Sequence, residues 1–562
     1  MTNLEISELL RNVASAYQYL DQNKYKFQVI AYNRAADSIE HATSELKDLW
    51  DDEKLDDVPS IGPSIAKHLD EIFKTGKSKH FEELMKDIPK EAFTLMVLPK
   101  VGLKTAMKMI AELPKKELLQ KIEEAQKLQN KVKRHLLPYA ENIASEVMEW
   151  LKDEPSIQKL DTLGSLRRRV ATVGDIDIAV ATNKPLEVIE RFVNYPKKQK
   201  VIEKGPKTAS ILLPSNVQVD ILVTKPEAYG NALQHFTGSK NHNIKLREFS
   251  LKKGLSMNEF RVLDKKSDKP KSFENEKELY SYLGLDFIEP ELREDSGEIE
   301  AAKTNNLPDL LKVSDIKADL QIHSNYDIET SHDLGINSMQ EIVKRAKDLN
   351  YEYIAFTEHN PSKSGHTPEQ IIDILKRKKE YVEQLNYSHE KTGEKGILKV
   401  FNSLEIDMNK DGTLPVPDAG LETLDFALVS IHSVFDLSRT EMTNRIINAL
   451  SHPKVKIFAH PTGRKINERE GVEIDWEKVF EFCLKNNKWI EINSAPMRLD
   501  LPDVLVRDAV KLGIKLTLGT DTHSLDMIDN IKYGVDVARR GWAEKKDIVN
   551  TRNLKEFEEL LK

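Results

Sequence analysis

The sequence predicts a multidomain chain of class α+β and α/β, with a helical N-terminal region, a mixed module behind it, and a parallel strand-helix barrel at the C-terminal end. Three observations lead there. At 562 residues the chain has room for roughly three to five folding units of about 100 to 200 residues each, every one able to bury its own core. Residues 1 to about 137 place apolar side chains at three and four spacing, as at Val13, Ala16, Tyr17 and Leu20, with Pro and Gly between the runs. From about 157 the pattern turns to short β-branched runs, ATVGDIDIAV, KTASILLP and NVQVDILV, and after about 315 short apolar runs alternate with amphipathic segments such as SMQEIVKRAKDL and LPDVLVRDAVKL.

Composition sets the outer limits. No stretch approaches the ~18 consecutive apolar residues of a membrane span, and the acidic start MTNLEISELLRN does not read as a secretory signal. Cys483 is the single cysteine, which excludes an internal disulfide and a thiolate zinc site and suits a reducing, cytoplasmic compartment. The net charge of -8 argues against a general polyanion binder. Local basic runs, residues 127 to 135 and the lysines at 100, 104, 108, 115 and 116, still offer a footprint for phosphates, and each reads equally well as a solvated helix face.

In the helical region, DDVPSIGPSIAKHL (56 to 69) and LMVLPKVGLKTAMKMI (95 to 110) share one template: an apolar residue, Pro, any residue, an apolar residue, Gly, then a helix. A Gly-containing turn that opens a helix directs backbone N–H groups outward, where they can hold a phosphate, with Gly62, Ser64, Gly102 and Lys104 as the candidate contacts. Such contacts position DNA without reading its sequence.

In the mixed module, Asp175 and Asp177 lie two apart in a strand and project from one face, and Asp220 interrupts the apolar strand NVQVDILV. Burying three acids in strands costs several kcal/mol unless each is paired or metal-bound, so shared divalent cations are the economical explanation. Gly164 and Ser165 open a turn before Arg167, Arg168 and Arg169, a group able to hold a triphosphate through charge-assisted bonds.

GSLRRR, GDIDIAV, VQVDILV and HFTGSKNHNIKLREFSLKKGLSMNEF stand in the order and spacing of the family X DNA polymerases, the polymerase beta relatives, and the resemblance covers residues 1 to about 293. It implies a helix-hairpin-helix N-terminal domain in two parts (1–79 and 80–137), a nucleotidyltransferase palm (138–225) and a subdomain for the nascent base pair (226–293). It also implies Asp175, Asp177 and Asp220 as catalytic ligands of Mg2+ or Mn2+, with Asp220 orienting the primer end, and Gly164, Ser165, Arg168 and Gly174 around the triphosphate. His235, Phe236 and Gly238 would lie beneath the sugar and base, and Asn243 and Arg247 would approach the minor-groove side of the pair. The partners implied are gapped or nicked double-stranded DNA and deoxynucleoside triphosphates, with a monovalent cation at the hairpins and a monomeric protein. Two positions depart from the pattern. His235 stands where Tyr is frequent, which bears on sugar discrimination. His68 stands where eukaryotic repair members carry a Schiff-base lysine, and imidazole cannot form that imine, so the resemblance does not carry sugar-phosphate lyase activity over to this chain.

Residues 294–314 (EDSGEIEAAKTNNLPDLLKVS) are acidic, small and poor in aromatics, and read as a connector. Beyond it, apolar runs end at metal-capable side chains: His323, Glu358 with His359, Glu405, His432, His460, and Asp521 with His523. In a parallel barrel every strand C-terminus lies on one face, so these scattered groups should converge. Imidazole and carboxylate without thiolate suit zinc, manganese or iron. ADLQIHS, FTEHNP, SLEID, SIHS, FAHPTGR and GTDTHS resemble the PHP (polymerase and histidinol phosphatase) domain across 315–562, which implies a distorted (β/α)7 barrel, Mn2+ or Zn2+, and metal-dependent phosphoesterase activity as 3′-5′ exonuclease or abasic-site processing. Arg464 and Arg498 are candidate phosphate holders. The first motif reads Gln321-Ile-His323 where many PHP domains have His-x-His, so Asp333, Asp327 or Glu329 would supply the missing ligand, with Asp333 preferred. The competing reading is a DNA-end-binding scaffold with a degenerate PHP domain, which the complete set of three polymerase-type carboxylates disfavours.

Overall fold

The computed structural model describes the whole chain except residues 2, 41–45, 52–54, 56–57, 59, 99–100, 130–133, 331–332 and 392–397. Lys100, residues 130–133 of the basic run, and the prolines of both hairpin templates, Pro59 and Pro99, therefore lie outside the described residues. Two compact units form. The first comprises Met1–Arg167, Thr172–Gly238 and Ser250–Leu279, and the second Arg168–Ala171, Ser239–Phe249 and Tyr280–Lys562.

In the first unit, helices including Asn3–Asp21, Lys26–Glu40 and Pro63–Thr75 bury Ile6, Leu10, Val13, Ala36, Ile65, Leu69 and Phe81 against one another. A second apolar cluster, around Leu95, Leu98, Leu103 and Ala106, holds the helix Leu103–Glu112. Both hairpin helices start from an extended glycine: Gly62 (φ -79°) precedes Pro63–Thr75 and Gly102 (φ -88°) precedes Leu103–Glu112. Gly62, Ser64, Gly102 and Lys104 are all exposed at those helix starts.

A five-stranded sheet follows, in the spatial order Lys159–Thr162, Ile176–Ala181, Gln218–Thr224, Thr208–Leu212, Lys200–Lys204. Its two central strands are parallel, and their register sets Asp177 directly opposite Asp220. β-Branched and aliphatic residues (Ile178, Val180, Val219, Ile221, Val223) bury both strands, and this burial pins the register because a one-residue slip would turn every side chain to the other face.

Among its described residues the second unit has eight parallel strand segments. Ala318–Ile322, Tyr353–Phe356 and Lys399–Asn402 form one sheet; Glu405–Asp407, Ala427–Ser430, Val455–Phe458, Trp489–Asn493 and Leu516–Gly519 form the other. Parallel bridges His359↔Glu405 and Ile322↔Thr522 join the two sheets at both seams. Since Lys399–Asn402 and Glu405–Asp407 are separated only by Ser403 and Leu404, the ring has seven staves, as the sequence implied. The C-terminal helix Leu554–Leu561 closes its apolar base, with Phe557 stacked on Tyr353 at 4.4 Å and packed beside Phe401, Phe426 and Trp489.

The stretch 294–314 does not behave as a connector. The helix Glu298–Lys303 buries Glu298, Ile299 and Ala302, and Glu298 meets His242 at 2.6 Å inside the second unit. Its acidic composition, read as solvated, instead serves a buried imidazole and the backbone N–H groups of Asp295 and Ser296.

Candidate metal centres

The first unit gathers Asp175, Asp177 and Asp220, one oxygen from each lying within 4.8 Å of the others. Asp175 is exposed and the other two are half-buried. Gln218 donates its amide to both oxygens of Asp220 at 2.9 and 3.0 Å and so fixes the plane of that carboxylate. Gly164 has φ +56°, and a Cβ there would stand 2.6 Å from Asp177 Oδ2, so this turn requires glycine both for its backbone and for the room it leaves. Three acids this close repel unless a cation shares them, and an all-oxygen set fits Mg2+ or Mn2+.

The three arginines that follow are engaged individually. Arg167 pairs with Glu276 at 2.6 Å and donates to Thr237 at 2.6 Å. Arg168 pairs with Glu294 at 2.9 Å, and Arg169 with Asp536 at 2.7 Å, both within the second unit. A guanidinium from the basic run 127 to 135 stands beside the turn that precedes Asp175: Arg134 donates to Thr172 Oγ1 (2.9 Å) and to the Thr172 carbonyl (2.6 Å), and its Nη1 sits 3.3 Å from where a Cβ on Gly174 would be. Ser165 lies in the short helix Gly164–Arg167. His235 and Phe236 end the helix Tyr229–Thr237, their rings 4.7 Å apart, and Gly238 turns the chain with φ 69°. Asn243 and Arg247, four apart on Lys240–Lys252, share a face of a helix of the second unit. His68 stacks on His80 at 4.8 Å, where burial and the His80 charge lower its pKa.

At the C-terminal ends of the barrel strands, four overlapping groups of potential ligands occur among the described residues: His323, His359 and His523; His359, Asp407 and His432; Glu405, His432 and His460; and His323, Glu405 and Asp521. Glu405 is the hub. Its Oε1 lies 2.8 Å from His460 Nε2 and 3.1 Å from His432 Nε2, and its Oε2 lies 3.2 Å from His323 Nε2. Burial opposes its charge, but His359, His460 and His432 outweigh burial and hold its pKa well below the usual carboxylate range. Burial likewise opposes the charge of His323, yet Asp521 and Glu405 push its pKa up to about 10. His523 Nε2 is buried with no hydrogen-bond partner, a costly condition that a cation would relieve. The donor set, imidazole nitrogen with carboxylate oxygen, fits manganese or zinc.

Two ligand positions carry strained backbone, His460 with φ 28° and Asp521 with φ 55°. Each is held from behind: His460 N–H donates to Glu491 at 2.7 Å, and Asp521 N–H to the Gln321 carbonyl at 3.0 Å. Gln321 itself is fully buried, donating to Glu405 Oε2 at 2.7 Å and accepting from Asn493 at 3.1 Å, so its amide braces the hub carboxylate from the place of the missing imidazole.

Asp333 stands outside the four groups, although its charge acts on the pKa of His523. Neither of the other two candidates joins them: Asp327 accepts from the Glu329 N–H, and Glu329 pairs with His366 at 2.8 Å. Asp407, which the sequence reading quoted in SLEID without assigning it, contacts His432 Nδ1 at 3.1 Å. Its two-residue spacing from Glu405 was the available signal, since alternate strand residues share a face. Glu358, read with His359 as metal-capable, turns instead to Lys378 and Ser324. Arg464 is spent on backbone carbonyls of Arg498 and Leu499, whereas Arg498 reaches Asp521 at 3.3 Å and keeps a buried Nη1 without a hydrogen-bond partner.

Comparison with known proteins accounts for this pairing of centres. Family models match for a helix-hairpin-helix domain (residues 1–78), the DNA polymerase beta thumb (232–294) and the PHP domain (319–495). The chain is 32% identical over 590 residues to the DNA polymerase/3'-5' exonuclease PolX of Bacillus subtilis (strain 168), covering 100% of both sequences. Part of the chain is also similar to proteins named as probable phosphatases: one of Thermoanaerobacter sp. (strain X514), 25% identical over 42% of this chain and 91% of that protein, and one of Caldicellulosiruptor saccharolyticus, 27% identical over 33% and 74%. With the aligned carboxylates in one unit, the histidine-rich ring in the other and a relative matched from end to end, the chain belongs to the bacterial family X DNA polymerases that carry a C-terminal PHP domain.

Proposed function

We propose that this chain fills short gaps in DNA during base-excision or end-joining repair by template-directed nucleotidyl transfer at Asp175, Asp177 and Asp220, and trims 3′ ends by phosphoester hydrolysis at the centre built around Glu405. The observation that carries the reading is the parallel register that sets Asp177 against Asp220, with Asp175 within 4.8 Å. Divalent cations, when bound, supply the charge that acidifies a hydroxyl or water and neutralises phosphate oxygens. The protein's own part is geometric: Gln218 orients Asp220, Gly164 keeps the turn close to Asp177, and the exposed hairpin helix starts at Gly62 and Gly102 hold backbone phosphates with a monovalent cation. Mg2+ or Mn2+ is assigned to the first centre and Mn2+ or Zn2+ to the second. The protein is assigned as a cytoplasmic monomer acting on gapped or nicked duplexes with deoxynucleoside triphosphates; no described helix is long and apolar enough to cross a membrane.

The test is extension of a primer across a one-nucleotide gap, and trimming of an unextended 3′ end, each with Mg2+ or Mn2+. Both activities are expected, and both should stop on chelation; gap binding without either reaction would point to the scaffold instead. Arg498 is assigned to the scissile phosphate, because its Nη1 is buried beside Asp521. Arg498→Ala should slow trimming on the order of 10- to 100-fold, the loss usual for a group that orients a metal site, and leave gap extension unchanged.

A further inference from the structure

The helix Pro368–Lys391 lays Ile371, Ile374, Leu375, Val382 and Leu385 into the barrel wall, and in the middle of that apolar stripe stands Lys378, with none of its surface exposed. A lysine in such a position is expensive unless each ammonium proton finds an acceptor. Two donate to backbone carbonyls, that of Phe356 at 3.0 Å and that of Ser403 at 2.5 Å, and the charge is paired with Glu358 Oε2 at 2.5 Å. Glu358, itself buried, spends its other oxygen on Ser324, accepting from the N–H at 3.3 Å and the hydroxyl at 2.6 Å. Ser403 extends the link with a 2.9 Å bond from its hydroxyl to the Phe426 carbonyl.

Three of the anchors stand within two residues of a potential metal ligand. Ser324 follows His323, Glu358 precedes His359, and Ser403 stands two residues before Glu405. One ammonium group therefore ties together three strand ends that must agree for the groups His323–His359–His523 and His323–Glu405–Asp521 to keep their spacing. Stability alone does not account for such a pair, because an apolar pair of the same shape is often equally stable or more so.

We infer that Lys378 and Glu358 form a positioning pair for the metal centre of the barrel: they touch neither metal nor substrate and act by holding the loops that carry His323, His359 and Glu405 in register. This rests on the reading of that centre as metal-binding. Loss of the pair leaves a folded barrel whose ligands no longer converge, and so changes the coordination geometry as well as the affinity.

The full-length protein, Lys378→Met, and the double variant Lys378→Met with Glu358→Met are loaded with Co2+. Metal per folded chain is measured by mass spectrometry after dialysis, the visible d–d spectrum is recorded, and Tm and gap extension are followed in parallel. Co2+ affinity is expected to fall about 10- to 100-fold in both variants, the range for losing an outer-shell support. The d–d bands should change in position and intensity while gap extension stays at the wild-type level. The double variant should recover Tm relative to Lys378→Met and still fail to recover the spectrum, which separates positioning from packing even if the single variant folds poorly. A wild-type spectrum and affinity in the folded double variant would overturn the inference. Absence of Co2+ uptake by the wild-type protein would overturn instead the reading of the centre on which it depends.

Discussion

Asp177→Ala is expected to abolish gap extension and to leave 3′ trimming untouched. Asp177 holds the middle of the group: it lies on the strand Ile176–Ala181 opposite Asp220 in the parallel register, and Asp175 occupies the bend just before that strand, not the strand face the sequence predicted, yet within 4.8 Å of both. Its loss leaves one exposed and one half-buried carboxylate, too few oxygens to share a pair of cations. The charge stabilisation withdrawn is several kcal/mol, and at ~1.4 kcal/mol per tenfold the rate should fall by about 10^3 or more. Folding should survive, because the backbone bond from Leu163 N–H to the Asp177 carbonyl does not involve the side chain. A Tm within about 4 °C of wild type, the shift that ~1 kcal/mol gives in a domain of this size, is the control that separates lost chemistry from lost structure. Residual extension above a tenth of wild type would mean that the cations are held elsewhere.

How much of this was legible in the sequence depended on whether a signal was local. The grouping of Asp175 and Asp177 was legible from their spacing, although Asp175 sits in the bend before the strand and not on its face, and the convergence of His323, His359, Glu405, His432, His460, Asp521 and His523 needed only the rule that parallel strands end on one face. Asp407 stands at the same two-residue spacing from Glu405 and was nevertheless left unassigned. The partners of buried charges were not legible. Arg168 and Arg169, expected at the triphosphate, meet Glu294 and Asp536, which lie 126 and 367 residues away, and no window of sequence brings such partners together. Lys378 was indistinguishable from its neighbours in the run KRKK, since composition treats every helical lysine as solvated, and only the buried stripe reveals it. The acidic segment around Glu298 misled for the same reason: a polar residue reads as exposed until its buried partner, here His242, is known.

Glu405→Ala should be the most damaging change in the barrel, and damaging there alone. The two oxygens of Glu405 serve both sides of the centre, Oε1 toward His432 and His460 and Oε2 toward His323 and the Gln321 amide. Deleting the carboxylate removes the common member of two of the four ligand groups and strands the Gln321 donor in a fully buried position, an added cost of about 1 to 3 kcal/mol. It also withdraws the negative charge that helps hold the pKa of His323 near 10 and that of His432 near 9, so both imidazoles lose proton affinity even as they lose a shared ligand. Trimming should drop by about 10^3-fold or more and bound metal per chain should fall, with gap extension preserved. His523→Ala is the calibrating comparison, because His523 enters only one of the groups and should cost less of both metal and activity. Equal losses from the two substitutions would place the hub somewhere other than Glu405. Loss of gap extension with Glu405→Ala would show that the two centres do not work independently, and the assignment of separate reactions to separate carboxylate sets would fail with it.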